Sequence, residues 1–395
     1  MKPMLTPGKK QESKEKKHFA FPSLSLSMSF KRQNNLLHIF LHGRWHGKRT
    51  QMSQKYIYRR DGSLLRVLIV WSINGSEQDA TGLLWLHGGA YACGIPEQDY
   101  NMMDSFCGDG TCVAVLPEYR LSGEAPYPAA LEDAYLALVW MKEHAKEFGI
   151  NPNQLFVGGE SAGGGLAVAL SLYARDRREV SIAFQIPLFP MIDDQYLKEK
   201  AKSYHLKDHE KARLKGWEQY LRCFKNTNII PIYAIPARAK ILDHLPPLCT
   251  IAGTEGPFYY ETMKFTKRLK AADVTVYFRT FEGYFKVYNW LDFPDRSHKA
   301  AKQFVLECFR SAQQNYFENQ PVGKTRKARN IARRRAFLNR RRRRLKQDRA
   351  LTEKEAKLEA EVLRKWAAES KITNQKEINH EHVERKKRGS TDSNE

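Results

Sequence analysis

Long apolar runs are missing from this chain. No stretch of its 395 residues approaches the roughly 18 consecutive apolar residues of a membrane-spanning helix. The most apolar N-terminal pieces, around 19–30 and 36–41, are short and broken by Ser, His and Asn. A Lys-rich start precedes them without a small-residue cleavage site after them, so no secretory signal peptide is expected. Cysteine is sparse and unpatterned. Cys93, Cys107, Cys112, Cys223, Cys249 and Cys308 form no C-x-x-C pair and no His-linked zinc spacing. They read as reduced thiols of a cytoplasmic protein, with neither a disulfide scaffold nor a metal site expected.

Acidic residues are scarce at both ends. Residues 1–60 hold 14 Lys/Arg against 2 Asp/Glu, and residues 321–395 hold 24 against 11. The middle, 61–320, carries 28 basic and 31 acidic residues, so the net charge of +22 lies in two extensions around a nearly neutral body. Basic extensions attract RNA, other polyanions or anionic surfaces without specifying any of them. Three regions follow: a basic N-terminal region over 1–55, a folded domain over 56–320 and a basic tail over 321–395.

The tail opens on an arginine block over 333–344, interrupted at 336–339. Thr352-Glu353-Lys354-Glu355 then fits a capping box, with Leu358, Val362, Leu363 and Trp366 on one helical face. Phe337 and Trp366 are the aromatics there, too few for base stacking. The tail therefore reads as a solvated helical appendage with a disordered end from about Ser370, in preference to a dedicated RNA-binding arm.

In the body, short apolar runs alternate with amphipathic stretches. Strands are expected over 64–71, 82–86, 112–116, 155–157, 182–186, 248–252 and 274–281. Helices are expected over 129–148, 162–174, 260–272 and 298–317. This alternation predicts an α/β fold with a mostly parallel sheet covered on both faces.

Gly159-Glu160-Ser161-Ala162-Gly163 is a G-x-S-x-G pattern between an expected strand and an Ala-, Gly- and Leu-rich helix. A serine on so sharp a turn has a strained backbone, and the flanking glycines remove side chains that would clash. The turn sets the hydroxyl at a helix N-terminus, where the macrodipole favours developing negative charge. His87-Gly88-Gly89-Ala90-Tyr91 follows directly on another strand. The N–H groups of Gly88 and Gly89, with that of Ala162, can face the oxygen of a tetrahedral intermediate. His87 sits beside this loop and reads as its organiser, not as a base.

Three stretches carry a resemblance: HGGAY at 87–91, PEYRLSGEAPYPAALEDAY at 117–135 and GGESAGGGLAVAL at 158–170. PPLCTIAGTEGPFYYE at 246–261 and FEGYF at 281–285 match more loosely. The body resembles the hormone-sensitive-lipase branch of the α/β-hydrolases, a family of many esterases and acetylesterases. The resemblance implies an eight-stranded sheet and a small cap built from about 28–55 and 190–240. It also implies short-chain acyl esters as substrates, Ser161 as nucleophile, and Gly88, Gly89 and Ala162 as oxyanion donors. This chemistry needs no metal or organic cofactor.

The rest of the triad departs from the family. The position of the family acid is taken by Gly256, and the candidate acid, Glu255, stands one residue early and would reach the site only if the turn shifts. The position of the family histidine is taken by Lys286. An ordinary lysine, with a pKa near ~10.4, is protonated at neutral pH and cannot accept the serine proton, so Lys286 would serve as base only if burial lowered its pKa, as in the Ser–Lys pairs of other folds. His298 is expected on a helix surface, and His205 and His209 as exposed residues of the cap. Two readings result: an ester hydrolase of weak or lost activity, or a catalytically inactive binding module of the same fold with basic arms for a polyanionic partner.

Overall fold

The computed structural model describes residues 29–195, 199, 206–227, 229–282 and 296–321. The remainder, including Lys286, His205 and the basic tail, lies outside the described residues, as does the side chain of His209.

The described residues build one eight-stranded sheet. Its strands are β1 (Thr50–Tyr58), β2 (Leu64–Ser72), β3 (Ala80–Leu86), β4 (Cys112–Pro117), β5 (Ile150–Glu160), β6 (Phe184–Leu188), β7 (Leu248–Gly253) and β8 (Val276–Phe281). Their spatial order is β1-β2-β4-β3-β5-β6-β7-β8. Only β2 runs against its neighbours, and the pairs from β4 to β8 are parallel. The mostly parallel sheet expected from the sequence is therefore present. Every residue of β3, β4, β6 and β7 is buried, because helices cover both faces of a parallel sheet.

The helices are α1 (Phe30–Leu41), α2 (Tyr100–Cys107), α3 (Ala129–Glu143), α4 (Ala162–Arg177), α5 (Asp208–Tyr220), α6 (Tyr259–Ala271) and α7 (Arg296–Asn315). Three of them show how the sequence fixes the packing. Ser29 caps α1, its hydroxyl accepting from the Arg32 N–H. Helix α4 buries twelve of its sixteen residues, and its glycines permit that depth: a Cβ on Gly163 would lie 2.0 Å from the Leu86 carbonyl oxygen. On α7, Phe309 packs on Phe106 and Phe156, with ring centroids 4.7 and 5.9 Å apart.

The segment at 117–135 turns out to be structural wiring. Asp133 is buried and accepts from both Arg59 (2.7 Å) and Arg120 (3.0 Å). The Tyr119 hydroxyl donates to the His87 carbonyl at 2.7 Å, and its ring stacks on the His87 imidazole at 4.2 Å. The segment thus braces the loop that begins at His87.

Three expectations need correction. The sheet begins at Thr50, ahead of the first strand expected over 64–71, because β1 pairs with β2 from Thr50↔Ser72 to Tyr58↔Leu64. As a half-exposed edge strand β1 lacks a continuous apolar run. The strand expected over 182–186 lies over 184–188, because its pairing with β5 runs from Phe156↔Phe184 to Glu160↔Leu188 while Ile182 and Ala183 are merely buried ahead of it. His298, expected on a surface, is 8% exposed.

Residues 222–230 belong to a separate unit, with a 3-10 turn over Arg222–Phe224.

Candidate active site

The centre of the site is the junction of β5 and α4. Ser161 sits there at φ +52° and ψ −114°, outside the regions an ordinary L-residue occupies. Holding such a backbone costs on the order of 1–3 kcal/mol, so the surroundings must over-determine it. They do so through three hydrogen bonds. The Ser161 N–H donates to the Leu188 carbonyl at 3.0 Å, and its own carbonyl accepts from Gly165 and Met191, both at 2.8 Å. Two glycines make room: a Cβ on Gly159 would meet the Leu86 oxygen at 2.4 Å, and one on Gly163 the His87 oxygen at 2.4 Å. Ser161 is 4% exposed, at the N-terminus of a sixteen-residue helix.

The loop over 87–95 lies alongside. Register places Leu86 opposite Gly159, so the loop leaves β3 where β5 delivers the serine. Gly89 takes φ +127°, and a Cβ there would fall 1.8 Å from the Cys93 carbonyl oxygen. Its own carbonyl accepts from Ala92 (2.9 Å) and Cys93 (3.0 Å), which folds the loop tightly. The N–H groups of Gly88, Gly89 and Ala162 enter none of the turn and loop hydrogen bonds of the described residues. Tyr91 anchors the far side, its hydroxyl donating to the Met191 carbonyl at 3.1 Å. Serine and loop therefore share one brace, since the same Met191 supplies its N–H to Ser161.

His87 is buried, with Nδ1 2.8 Å from the Gly88 carbonyl. Burial lowers its pKa to about 4, so the ring is neutral at pH 7. Its place against Tyr119 and Gly88 fits an organiser of the loop.

Two helices flank the loop. From α1, Asn34 accepts from the Gly94 N–H at 3.2 Å. From α5, Tyr220 stacks on Tyr91 at 4.0 Å, and Trp217 lies 5.5 Å from it. Both stretches fall in the segments expected to form a cap.

The remaining catalytic positions look different. After β7 the chain turns through Thr254 and Glu255, and the Gly256 N–H donates to the Gly253 carbonyl at 2.9 Å. Glu255 is at the same end of the sheet but exposed. Gly256 brings no carboxylate, and Lys286 lies outside the described residues. The structure thus brings Ser161, Gly88, Gly89 and Ala162 together and leaves Glu255 in solvent.

Sequence reasoning missed a buried ion pair beneath this site. Glu261, in the first turn of α6, accepts from the N–H groups of Ile192 (3.2 Å) and Asp193 (2.7 Å). Arg213 of α5 reaches it at 3.1 Å and also donates to the Pro257 carbonyl at 2.6 Å. Burial pushes the Glu261 carboxyl up to about 8, opposed by the Arg213 charge. The pair ties the acid turn to the segment that accepts the Ser161 backbone. Glu261 closes the loosely matching stretch at 246–261, but Arg213 sits in no motif.

A serine on a strained strand-to-helix turn, at the parallel end of a sheet with one reversed strand, defines the α/β-hydrolase class. A family profile described as alpha/beta hydrolase fold matches residues 83–289, more than half of the chain. The chain belongs to this family, in its hormone-sensitive-lipase-like branch. Esterase LipI of Mycobacterium tuberculosis is 29% identical over 219 residues, 53% of this chain and 66% of the relative. An acetyl-hydrolase of Streptomyces hygroscopicus is 32% identical over 55% of this chain and 71% of its own length. An AB hydrolase superfamily protein of Schizosaccharomyces pombe is 35% identical, but the match spans 37% of it. The chain thus spans between a third and about two thirds of the length of the first two curated relatives it matches. Among solved structures, a bacterial heroin esterase superposes with a TM-score of 0.66 at 26% identity, covering 74% of this chain and 94% of that one.

Proposed function

We propose that this protein is a carboxylic-ester hydrolase-like enzyme for small acyl esters, with Ser161 as nucleophile and an incomplete triad that leaves hydrolysis slow. The observation that carries this reading is the strained Ser161 backbone, held by Leu188, Gly165 and Met191. Strain of this kind persists where a side chain must be displayed at one point. The N–H groups of Gly88, Gly89 and Ala162 would receive the carbonyl oxygen of the bound ester as it becomes an oxyanion. Attack by the Ser161 hydroxyl would form an acyl-enzyme and expel the alcohol, and water would then release the acid. The relatives named as esterases and as an acetyl-hydrolase support small esters as the substrate class.

The weak point is proton transfer. With Gly256 at the acid position, Lys286 at the base position and Glu255 in solvent, nothing in the usual places would take the serine proton. Removal of triad members from a serine hydrolase can leave catalysis of order 10³-fold over water from the oxyanion hole and binding. The same departures favour the second reading, a binding module whose oxyanion loop receives a carbonyl or carboxylate without turnover.

The two readings separate in one experiment. Full-length protein is treated with a fluorophosphonate probe and assayed on p-nitrophenyl acetate, with Ser161→Ala beside it. The enzyme reading expects slow covalent labelling and hydrolysis, both lost in the variant. Equal rates in both proteins would leave the binding module standing.

A further inference from the structure

A second cluster of chemistry-bearing side chains lies on the outer face of α1. His38 and His42, one helical turn apart, stack with ring centroids 5.1 Å apart at 22°. Both present Nε2 to the carboxylate of Glu118, which follows β4. His38 Nε2 lies 3.6 Å from Oε1 and His42 Nε2 3.9 Å from Oε2. One ligand atom from each of the three residues can be chosen so that all lie within 4.8 Å of one another. The side chains are 38%, 42% and 22% exposed, so an ion can enter from solvent without unfolding anything.

We propose that His38, His42 and Glu118 form a zinc site that clasps α1 to the body of the protein. Two imidazoles and one carboxylate are a zinc-type donor set, and water would complete the tetrahedron. Bonds of roughly 2.0–2.2 Å to one ion set tetrahedral ligand atoms about 3.4 Å apart, so atoms within 4.8 Å of one another must close by up to about 1.4 Å, within the reach of side-chain rotation. The charge also suits a dication. Arg66 donates to Glu118 Oε2 at 2.8 Å and also pairs with buried Glu97. With neutral imidazoles the cluster of one cation and two anions keeps one net negative charge. Arg66 engages Oε2 and leaves Oε1 for the ion, so it also orients the ligand.

The position gives such an ion a task. Tyr119, next to Glu118, stacks on His87, and Asn34 on α1 bonds the Gly94 N–H. Zinc across His38, His42 and Glu118 would lock the end of α1 against β4 and so steady both flanks of the loop over 87–95. The site depends on none of the catalytic assignments above.

The test uses the full chain, stripped with chelator and reduced. Zinc is titrated against a chromogenic competitor, and cobalt(II) is added separately as a spectroscopic probe of coordination geometry. The expected result is one high-affinity zinc equivalent and a tetrahedral cobalt spectrum. Both should be lost in His38→Ala/His42→Ala, with at least about tenfold weaker binding in each single variant. Other histidines and the cysteines contribute the same background to every protein. Circular dichroism of the metal-free variants establishes that they fold. Binding unchanged in the double variant, or no high-affinity equivalent in the wild type, overturns the site and leaves two imidazole–carboxylate ion pairs.

Discussion

At the scale of single residues, the site divides into a strained serine turn with its neighbouring loop and two positions that lack the acid and base of a proton relay. Ser161 keeps its strained φ of +52° and its three backbone restraints. Gly256 and Lys286 stand where an acid and a base would act. If the nucleophile and its oxyanion loop are sound, restoring the relay should restore rate. Gly256→Asp/Lys286→His is expected to raise kcat/KM on p-nitrophenyl acetate by about 100-fold or more, the usual scale of general acid–base catalysis. Each single change should give less. A Cβ at Gly256 would meet the Gly253 oxygen at 2.9 Å, so the turn must yield slightly to accept aspartate. No gain from the double variant would mean that the pocket itself no longer holds an ester. The turn at 159–163 and the loop from His87 were legible in the sequence because each is one short contiguous run of residues. The Glu261–Arg213 pair and the His38–His42–Glu118 cluster were not, because residues far apart in the chain meet only once the sheet has formed.

At the scale of elements, β3 to β7 were readable because strands buried on both faces carry apolar runs. β1 was not, because an edge strand with one wet face mixes Thr, Gln, Ser and Lys among its apolar residues. The start of β5 was hidden by Asn151, Pro152 and Asn153. The turn after β3 carries its own pH signature. His87 falls from 6.5 to about 4 because burial disfavours the imidazolium. A histidine whose pKa is lower in the folded state contributes stability above 6.5, which is lost as pH falls toward 4. The full shift corresponds to about 3 kcal/mol. Asp99 and Glu261 are pushed the other way by burial, to about 7 and about 8, so their contributions fall as pH rises. Their opposing slopes would mask His87 in the wild type alone. The expected outcome is a difference: urea midpoints of wild type and His87→Gln, measured from pH 4 to 7, should diverge as pH rises. Parallel curves would mean that His87 is solvated in the folded protein.

At the scale of the whole molecule, the charge pattern sets a nearly neutral middle between two basic ends. The nearly neutral 61–320 holds most of the sheet, while the excess of Lys and Arg lies outside it. The structural end of the body is more sharply set than composition suggests. Helix α7 closes at Asn315, but the chain stays tied for six more residues. The Tyr316 hydroxyl meets that of Tyr277 at 2.7 Å, and its ring stacks on Phe184 at 5.3 Å. The Glu318 N–H donates to the Asn153 carbonyl, and the Gln320 side chain both accepts from Ser181 N–H and donates to its carbonyl. Lys142 reaches the Pro321 carbonyl at 3.2 Å. These bonds fasten the strand ends of β5 and β6 that lead toward Ser161. Two truncations test whether 316–321 is a latch or a passenger, one ending at Pro321 and one at Asn315. With a net contribution of about 0.5–1.5 kcal/mol for each of these hydrogen bonds, the shorter protein should be less stable by roughly 2.5–7.5 kcal/mol. It should also react more slowly with the fluorophosphonate probe at equal folded fraction, because the far ends of β5 and β6 would fray. Equal urea midpoints for the two proteins would place the end of the cooperative unit at α7 and make the latch incidental to the site.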